Sequence, residues 1–404
     1  MTRLRVIIFV ATAIVIAILG SFASLYARGY RFSFDELKFR PNGLFAVKSV
    51  PDGAQIFLNG ELVSATNSTL ALKPGTYDVS IRKEGFIDWN KRLVIDKEIV
   101  TETTVHLFRS TLILSSVTFS GSINPVPSYD MSKIAFLVLP ETNSNGDNKE
   151  GLWVIEAVNL PIGFASDPKR ITDGDLQKSS YLWSPDGREI LLDTATGSYL
   201  LDTGTFTPQS QRINVRQTRA EIIAEWDNDR KKQQNAQLRK LPDEMNKILF
   251  DGTSSFVFSP DEDMVLYTAS SSATVPTGIG KKLPGASTQK EDRQLKEGAT
   301  YVYDIEEDRN FLIDGNSSDI ILGGEAKTNP KRRLSWFATS RHLVFAEENK
   351  VTIMDYDGTN RQTVYSGSYV IPHAYPTLST DRILILTNLG ATDSLPNLYS
   401  LSLK

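Results

Sequence analysis

The sequence predicts an all-β protein behind one N-terminal membrane helix, and three observations support this fold class. Residues 6–27 carry no charge. Residues 43–109 alternate apolar and polar positions in short runs between Gly, Pro and Asn turns, which is typical of antiparallel strands. Residues 110–404 repeat a unit of about 40 residues with about four strands, the signature of a propeller blade. We therefore expect a transmembrane helix, a small β-sandwich, and a β-propeller with a helical insertion.

The composition limits the partners and the chemistry. The net charge is -4 over 404 residues, so no strongly basic field is present to attract nucleic acid. The chain has no cysteine, which excludes disulfides, thiolate metal sites and cysteine nucleophiles. The three histidines, His106, His342 and His373, are too far apart in sequence to form a local HxxxH metal site. We predict no metal, no cofactor and no nucleic-acid partner.

The N-terminal apolar segment has the length of a membrane anchor. A helix of residues 6–27 spans about 30 Å, the thickness of the hydrocarbon core of a bilayer. Its short basic N-terminal tail favours the cytoplasm, and long downstream domains translocate largely regardless of charge. The alternative is a cleaved signal peptide, because residues 7–19 have the length of an h-region. Since the apolar run continues further, we predict a cytoplasmic tail and anchor at residues 1–28, a linker at residues 29–42, and extracytoplasmic domains after it.

Residues 43–109 predict a small module of antiparallel strands. Asn59-Gly60 lies between two apolar runs and is a strong hairpin signal, because both central positions of a type I′ turn need positive φ. Pro74-Gly75 marks a second tight turn before the strand-like run TYDVSI. A module built in this way is a small β-sandwich or an open barrel.

The same residues resemble the PEGA domain, which is named after a Pro-Glu-Gly-Ala motif. The match runs through Pro51-Asp52-Gly53-Ala54, Asn59-Gly60, Pro74-Gly75 and Gly85-Phe86. The chain departs from the motif at Asp52, where the family name has Glu, and Phe86 occupies a position where an aromatic residue such as Tyr is usual. The resemblance implies an extracytoplasmic β module and does not name a ligand.

The repeat of residues 110–404 recurs in five copies of unequal quality. The clearest copy contains Ser184-Pro185-Asp186-Gly187, which suits a type I turn because Pro presets φ at the second position. The other copies begin near Pro125, Phe256, Leu334 and Ala374. Residues 111–119 form a strand without a blade, and the last copy lacks a fourth strand. Pairing the two removes two exposed strand edges, so we expect five blades, with six as the alternative if an insertion hides one.

These repeats resemble TolB-like propellers, which are similar to WD repeats and carry the same SPDG turn and a strand-ending Asp. The match is close at residues 183–187 and good at residues 258–261, and the remaining copies are degenerate. The resemblance covers residues 110–404 and implies a platform for binding or scaffolding.

Two insertions interrupt the repeat. Residues 217–249 have a helical pattern, with Trp226, Leu238 and Met245 among the apolar positions spaced by three and four residues. They form either a hairpin packed on the propeller or a docking arm or lid over its pore. Residues 270–299 are rich in Ser, Gly, Pro and Lys, which predicts a flexible surface loop.

Candidate partner-binding residues are Trp89, Trp226, Leu238 and Met245. Trp89 follows the Gly85-Phe86 turn and either contacts a partner or caps the core of the small module. No catalytic constellation stands out, and we interpret the three histidines as structural.

Two acidic segments copy the first part of a calcium loop. They are Asp355-Tyr356-Asp357-Gly358 and the neighbourhood of Asn145 and Asp147. Neither has the closing Glu at the required distance, so we interpret both as turns.

The sequence therefore predicts a membrane-anchored, extracytoplasmic binding or scaffold protein that presents a propeller to an envelope protein or a glycan, and no catalytic activity. One alternative is a glycan-processing or lyase-type enzyme that acts at the central channel. Such an enzyme needs acidic residues or histidines that converge on the pore from several blades. The other alternative is a purely structural envelope protein.

Overall fold

The computed structural model describes residues 2–27, 30–33, 38–111, 113–140, 149–157, 167–279, 287–324, 331–391 and 393–404. The chain forms two compact units. The first comprises Met1–Leu107 and Lys282–Gln289, and the second comprises Phe108–Lys281 and Lys290–Lys404.

The first unit begins with helix α1, Thr2–Ala27. Its stretch Ile7–Ser24 is long and apolar enough to cross a membrane, and none of it is buried inside the protein. Apolar side chains such as Phe9 and Ile16 are exposed along the helix. A short antiparallel hairpin follows, formed by β1 (Tyr30–Ser33) and β2 (Lys38–Pro41).

The rest of the first unit is a sandwich of two sheets. Its strands are β3 Gly43–Val50, β4 Gln55–Leu58, β5 Glu61–Ala65, β6 Ser68–Leu72, β7 Gly75–Arg82, β8 Trp89–Ile95 and β9 Val100–His106. One sheet has the order β6-β3-β9 and the other β5-β4-β7-β8. Their inner faces meet in one core, which includes Phe45 from the first sheet and Ile56 and Ile81 from the second. The predicted hairpin turn is confirmed, since Asn59 and Gly60 have φ values of 51° and 88° and join β4 to β5.

The second unit contains the remaining strands and two further helices. The strands are β10 Ile113–Ser116, β11 Ile123–Pro127, β12 Lys133–Val138, β13 Gly151–Glu156, β14 Lys169–Asp173, β15 Ser180–Trp183, β16 Glu189–Asp193, β17 Ser198–Asp202, β18 Thr253–Phe258, β19 Met264–Ala269, β20 Ala273–Thr274, β21 Gln294–Leu295, β22 Thr300–Asp304, β23 Arg309–Asp314, β24 Ile320–Leu322, β25 Arg332–Trp336, β26 His342–Glu347, β27 Lys350–Asp355, β28 Gln362–Ser366, β29 Ala374–Pro376, β30 Arg382–Thr387 and β31 Asn397–Ser402. The helices are α2 Arg219–Leu238 and α3 Asp243–Gly252.

Strands β20 and β21 form a separate two-stranded sheet, and the others form five sheets of three to five strands among the described residues, which we call blades 1 to 5. Blade 1 is β11-β12-β13-β14, blade 2 is β15-β16-β17, blade 3 is β18-β19-β22-β23, blade 4 is β24-β25-β26-β27-β28, and blade 5 is β29-β30-β31-β10. Strand β10, the first of the second unit in sequence, pairs antiparallel with the last strand β31, with Ile113 opposite Ser402. The predicted closure of the ring is therefore confirmed, and it leaves β31 with a partner on both sides.

The turn between the first and second strands of a blade keeps one geometry while its sequence varies. In blades 1, 2 and 3 the hydroxyl of Ser128, Ser184 or Ser259 accepts the N–H of the residue five positions later. The residue three positions after the serine has positive φ, and it is Gly187 in blade 2 but Met131 and Glu262 in the other two. The hydrogen bonds of the turn therefore hold a left-handed residue even where glycine is missing.

Four seams between neighbouring blades have a core made by two sheets. Blades 1 and 2, 1 and 5, 4 and 5, and 3 and 4 each share one cluster of buried side chains. Alternate residues of a strand point to opposite faces, so Leu266 of blade 3 faces blade 4 while Tyr267 faces the other way.

The other face of blade 3 is covered by helices α2 and α3. Leu241, Met245 and Leu249 are buried against Tyr267 and Tyr301 of blade 3. No core cluster among the described residues joins blades 2 and 3 directly. We call the packing of helices α2 and α3 against this face of blade 3 the helical seam.

Polar contacts fasten the helices to both neighbouring blades. The Arg219 guanidinium at the start of α2 donates to both carboxylate oxygens of Asp193 in blade 2, at 2.7 and 2.9 Å. In the last turn of the helix Gln237, and just beyond its end Lys240, donate to the carboxylate of Glu262 in blade 3. The first insertion is therefore a helical hairpin that connects blade 2 to blade 3, and neither described insertion contains a sixth blade.

Candidate functional site

The two ends of the propeller axis carry different features. The innermost strands β11, β15, β18, β25 and β29 all begin at one end, because neighbouring strands of a blade are antiparallel and the chain returns to that end before the next blade begins, in blade 2 through a segment that pairs Asn214 with Tyr199. The loops between second and third strands lie at the same end, as does the start of the helical insertion. We call it the insertion end and the opposite end, where the serine turns lie, the turn end.

The centre of the ring contains part of the chain itself. Strand β24 runs parallel to β25 of blade 4. A Cβ atom on Gly323 would lie 3.3 Å from the Val257 side chain of blade 3, and one on Gly324 would lie 2.5 Å from the Ser128 carbonyl oxygen of blade 1. The segment thus lies among innermost strands of three blades, and only glycine fits at position 324.

Four side chains from three blades meet beside this segment, and we call them the axial cluster. They are Tyr181 of blade 2, Arg333 of blade 4, and His373 and Tyr375 at the start of the innermost strand of blade 5. Tyr375 is fully buried, and Arg333 is only 5% exposed. The Arg333 guanidinium donates to the Gly323 carbonyl and lies 5.3 Å from the centre of the Tyr375 ring, a cation–π distance.

Backbone carbonyls of blade 1 fix both phenols. Tyr375 Oη donates to the Pro125 carbonyl at 2.9 Å, and Tyr181 Oη donates to the Asn124 and Ala135 carbonyls. Buried hydroxyls require such partners, since an unsatisfied one costs about 1–3 kcal/mol. The cluster therefore links blades 1, 2, 4 and 5 at the axis.

These bonds assign the tautomer of His373. Tyr375 has one hydroxyl hydrogen and gives it to Pro125, so its oxygen accepts the bond that joins it to His373 Nδ1 at 2.5 Å. Nδ1 must then carry the proton of the neutral imidazole, and Nε2 carries the lone pair. Nε2 has no hydrogen-bond partner among the described residues, and His373 is half-buried. It is an open acceptor at the insertion end.

The electrostatics keep the cluster neutral apart from its guanidinium. Burial and the positive charge of Arg333 lower the pKa of His373 to about 4, so its imidazole is uncharged at pH 7. Burial raises the pKa of the phenols of Tyr375 and Tyr181 well above the usual value. The cluster thus offers a fixed cation, hydroxyls bound to backbone, and one neutral acceptor.

Three of the four residues predicted to contact a partner lie in hydrophobic cores. Trp89 is buried in the sandwich, and Leu238 and Met245 are buried in the helical seam. The structure corrects the prediction for these three, because their apolar surface is already covered by the protein. Trp226 is half-buried on α2, and its role in partner binding stays a prediction.

The other two histidines are not members of the axial cluster. His342 is buried in blade 4, where its Nδ1 is hydrogen-bonded to Thr339 Oγ1 and its Nε2 lies 3.6 Å from Asp355 Oδ1. His106 ends β9 of the sandwich. Neither histidine contributes to the axial cluster, alone or together with an acidic side chain.

The acidic side chains of the turn at residues 355–358 in blade 4 accept hydrogen bonds from residues of the same loop. Asp357 accepts the backbone N–H and hydroxyl of Thr359, and Asp355 accepts the Asn360 amide. No group of three His, Asp or Glu residues in the described part of the chain is arranged to hold a metal ion. The second acidic segment, around Asn145 and Asp147, lies outside the described residues.

Sequence reasoning missed Arg333, Tyr375 and Tyr181 as members of a site and gave His373 a structural role. The available signal was their position: each lies in or beside the innermost strand of a repeat, and such strands line a propeller axis. The register needed to align the degenerate copies was not visible in the sequence, since only two copies carry a clear SPDG turn.

The fold and the axial cluster define a chain with an apolar N-terminal helix, a β-sandwich and a propeller. Comparison with known families adds that the PEGA domain matches residues 43–111. The chain therefore carries a PEGA domain, and this match coincides with the sandwich. No curated protein matches the chain.

Among solved structures the chain is similar to propeller proteins. A protein designated TolB from Agrobacterium tumefaciens is 12% identical, with a TM-score of 0.23 and coverage of 71% of this chain and 80% of the other. TolB from Acinetobacter baumannii is 12% identical, with a TM-score of 0.19 and coverage of 81% and 60%. Dipeptidyl peptidase 4 from Porphyromonas gingivalis is 10% identical, with a TM-score of 0.21 and coverage of 81% and 45%. The chain spans less than two thirds of the last two, and the propeller assignment rests on its own five sheets.

Proposed function

We propose that the protein is a membrane-anchored, extracytoplasmic binding protein that presents the insertion end of its propeller to a polypeptide of the cell envelope. The single observation that carries the proposal is the axial cluster. Side chains from three blades meet there at one end of the axis, and His373 Nε2 is left as an open hydrogen-bond acceptor. The apolar helix α1 and the PEGA domain support the anchor and the extracytoplasmic location.

The hydrogen bonds and the pKa values of the axial cluster support a role in binding a partner and not in catalysis. The phenols of Tyr181 and Tyr375 donate to backbone carbonyls, and their pKa values are raised further from neutrality by burial. Strand β24 lies among the innermost strands where a substrate would enter a channel. Groups held in this way position a partner rigidly, which lowers the entropy cost of binding.

Exposed apolar residues at the insertion end favour a polypeptide over a glycan. Phe119 is 81% exposed, and Leu389, Leu395 and Val370 are each at least 39% exposed. They belong to loops that contact one another, since Gly121 packs against Leu395 and Val370 donates its N–H to Leu386. These residues form an exposed apolar patch on the blade 5 side of the axial cluster, and such patches are typical of surfaces that bind proteins.

Photocrosslinking from the two ends of blade 5 tests the proposal. A photoreactive amino acid replaces Phe119 at the insertion end or, as the matched control, Leu378, which is 49% exposed at the turn end of the same blade. The full chain is expressed in its membrane and irradiated. We expect a discrete protein adduct from position 119 that disappears with His373→Ala, and none from position 378.

Equal adducts from both positions would contradict the assignment of the insertion end. Recovery of a glycan adduct at position 119 would retain a binding role and replace the class of partner. The anchor is tested separately by the mass of the N-terminal peptide from membrane extracts. We expect residues 1–28 to be retained, whereas a new N-terminus within them would indicate a cleaved signal peptide.

A further inference from the structure

One register position recurs in all five blades. There the first residue of the second strand lies opposite the last residue of the third strand. The pairs are Lys133 and Glu156, Glu189 and Asp202, Met264 and Asp304, His342 and Asp355, and Arg382 and Ser402. Blades 1 and 4 thus place a basic residue opposite an acid, whereas blade 3 places a thioether there.

In blade 4 the acid has partners. His342 Nε2 lies 3.6 Å from Asp355 Oδ1, and the Asn360 amide donates to Asp355 Oδ2 at 3.0 Å. A buried carboxylate needs such donors, because removing it from water without them costs several kcal/mol. Met264 opposite Asp304 has no hydrogen to donate.

Asp304 is nevertheless the more deeply buried acid, with 1% of its surface exposed. Its Oδ1 accepts the backbone N–H of Glu307 at 2.9 Å. Its Oδ2 is buried and has no hydrogen-bond partner among the described residues. Arg341 Nη1 lies 3.9 Å from Oδ2, beyond hydrogen-bond distance.

Asp304 lies in the seam between blades 3 and 4 at the turn end. Its side chain shares a strand face with Val302 and with Met264 opposite, and both belong to the core of that seam. Charged and titratable groups approach it from its own turn, from the turn after β25 and from the turn after β27: Glu306 and Glu307, Arg341, and Tyr356 with Asp357. Three of these are acids and one is a base, so the surroundings do not favour a buried anion.

We propose that Asp304 is a proton-sensitive group that controls how tightly blades 3 and 4 pack at the turn end of the propeller. In its neutral form the carboxyl group fits the apolar seam and the Oδ2 hydroxyl no longer needs a cation. In its ionised form it is a buried anion whose nearest cation is too distant, and the seam is loosened. The other four blades have no equivalent at this position. The acid lies opposite a basic residue in blades 1 and 4, it is exposed in blade 2, and blade 5 has a serine there.

The direction of the effect follows from linkage. Burial, with help from Glu307 and Glu306 against the opposing Arg341, raises the pKa of Asp304 to about 7. Between its unfolded pKa and this value, the folded protein binds the extra proton, so stability decreases as the pH rises and is constant above it. His373 has the opposite sign, because its pKa is lowered and its contribution increases with pH. All variants compared below retain His373, so a comparison between them cancels its contribution to the pH dependence of stability.

The test uses urea unfolding of the full chain in detergent between pH 5 and 8.5, for wild type, Asp304→Asn and the matched control Asp202→Asn. Asp202 occupies the same register position in blade 2 but is exposed. Because His373 opposes Asp304 in this range, each equilibrium constant of unfolding is divided by that of Asp304→Asn at the same pH, and we expect this ratio in wild type and in the control to rise by up to about tenfold per pH unit until near neutrality.

A second variant protects the test if Asp304→Asn folds poorly. Met264→His supplies the base that blade 4 has, so it should lower the pKa of Asp304 and flatten the pH dependence. The carboxyl carbon signal of Asp304, assigned by its absence in Asp304→Asn, should titrate near neutrality in wild type and at lower pH in Met264→His. Titration of Asp304 at an ordinary pKa in wild type, or an unchanged pH slope in both variants, would overturn the proposal.

Discussion

The four sheet–sheet seams and the helical seam bury similar apolar side chains but hold them differently. In the seam between blades 3 and 4, Leu343 packs between two sheets whose strands are hydrogen-bonded on both sides. In the helical seam, Leu249 lies on a helix that is joined to the sheets through side chains and through its continuation into β18. A sheet cannot shift without breaking a ladder, whereas a helix can slide or tilt as a unit.

This difference indicates where the ring is weakest. Local opening of a protein follows the elements with the fewest fixed contacts. The helical seam has polar clasps at Arg219 and at Glu262, while the axial cluster ties blades 1, 2, 4 and 5 together at the centre. We infer that blade 3 and the helices are held less firmly at the axis than the other blades.

The largest expected effect compares the same substitution in the two kinds of seam. Leu343→Ala in the sheet–sheet seam should lower the free energy of unfolding by about 3–5 kcal/mol, because the rigid sheets leave a cavity. Leu249→Ala in the helical seam should cost about 2–3 kcal/mol, because the helix can move to fill part of the space. Urea unfolding measures both, and equal losses would remove the distinction.

A hydrogen bond across a sheet–sheet seam gives a smaller effect. Ser340 Oγ of blade 4 accepts the backbone N–H of Asp261 in blade 3 at 3.1 Å. Ser340→Ala removes this part-buried hydrogen bond and should cost about 1 kcal/mol or less. Thr380→Ala at the corresponding turn of blade 5, whose side chain contacts the Lys404 amine at the surface, serves as the control with no measurable loss of stability.

The smallest effect concerns the clasp of the helical seam. Arg219→Ala removes the bidentate pair with Asp193, but Asp193 keeps its bond from Ser198, so the cost should be about 1 kcal/mol or less. Lys232→Ala breaks an exposed pair on the same helix and should cost at most a few tenths. Hydrogen exchange should show faster opening of α2 in Arg219→Ala only, and the same rates in both variants would contradict the role of the clasp.

Most of the architecture could be predicted from local signals. The Asn59-Gly60 hairpin, the apolar helix and the SPDG turn at Ser184 each depend on residues next to one another in sequence. The pairing of β10 with β31 was also accessible, because a ring without closure leaves two strand edges. The packing of the helical insertion could not be predicted, since a helical pattern shows which face is apolar but not what covers that face.

The candidate site was much less predictable. The sequence predicts contact residues at Trp89, Leu238 and Met245 because large apolar side chains suit both interfaces and cores, and only burial separates the two. Arg333 and Tyr375 are far apart in sequence from Tyr181 and meet only when the ring closes. The same holds for Asp304, because the lack of a basic residue opposite it becomes visible only against the register of the other blades.

Native-state hydrogen exchange of the full chain tests the central claim most directly. The amides of α3 and β18, on the two sides of the helical seam, are compared with those of β26 and β30 in the sheet–sheet seams. We predict that the helical seam opens at a lower free energy than the global unfolding, while β26 and β30 exchange only with global unfolding. Equal protection of all four elements would contradict the account, because the ring would then be held as firmly by its helices as by its sheets.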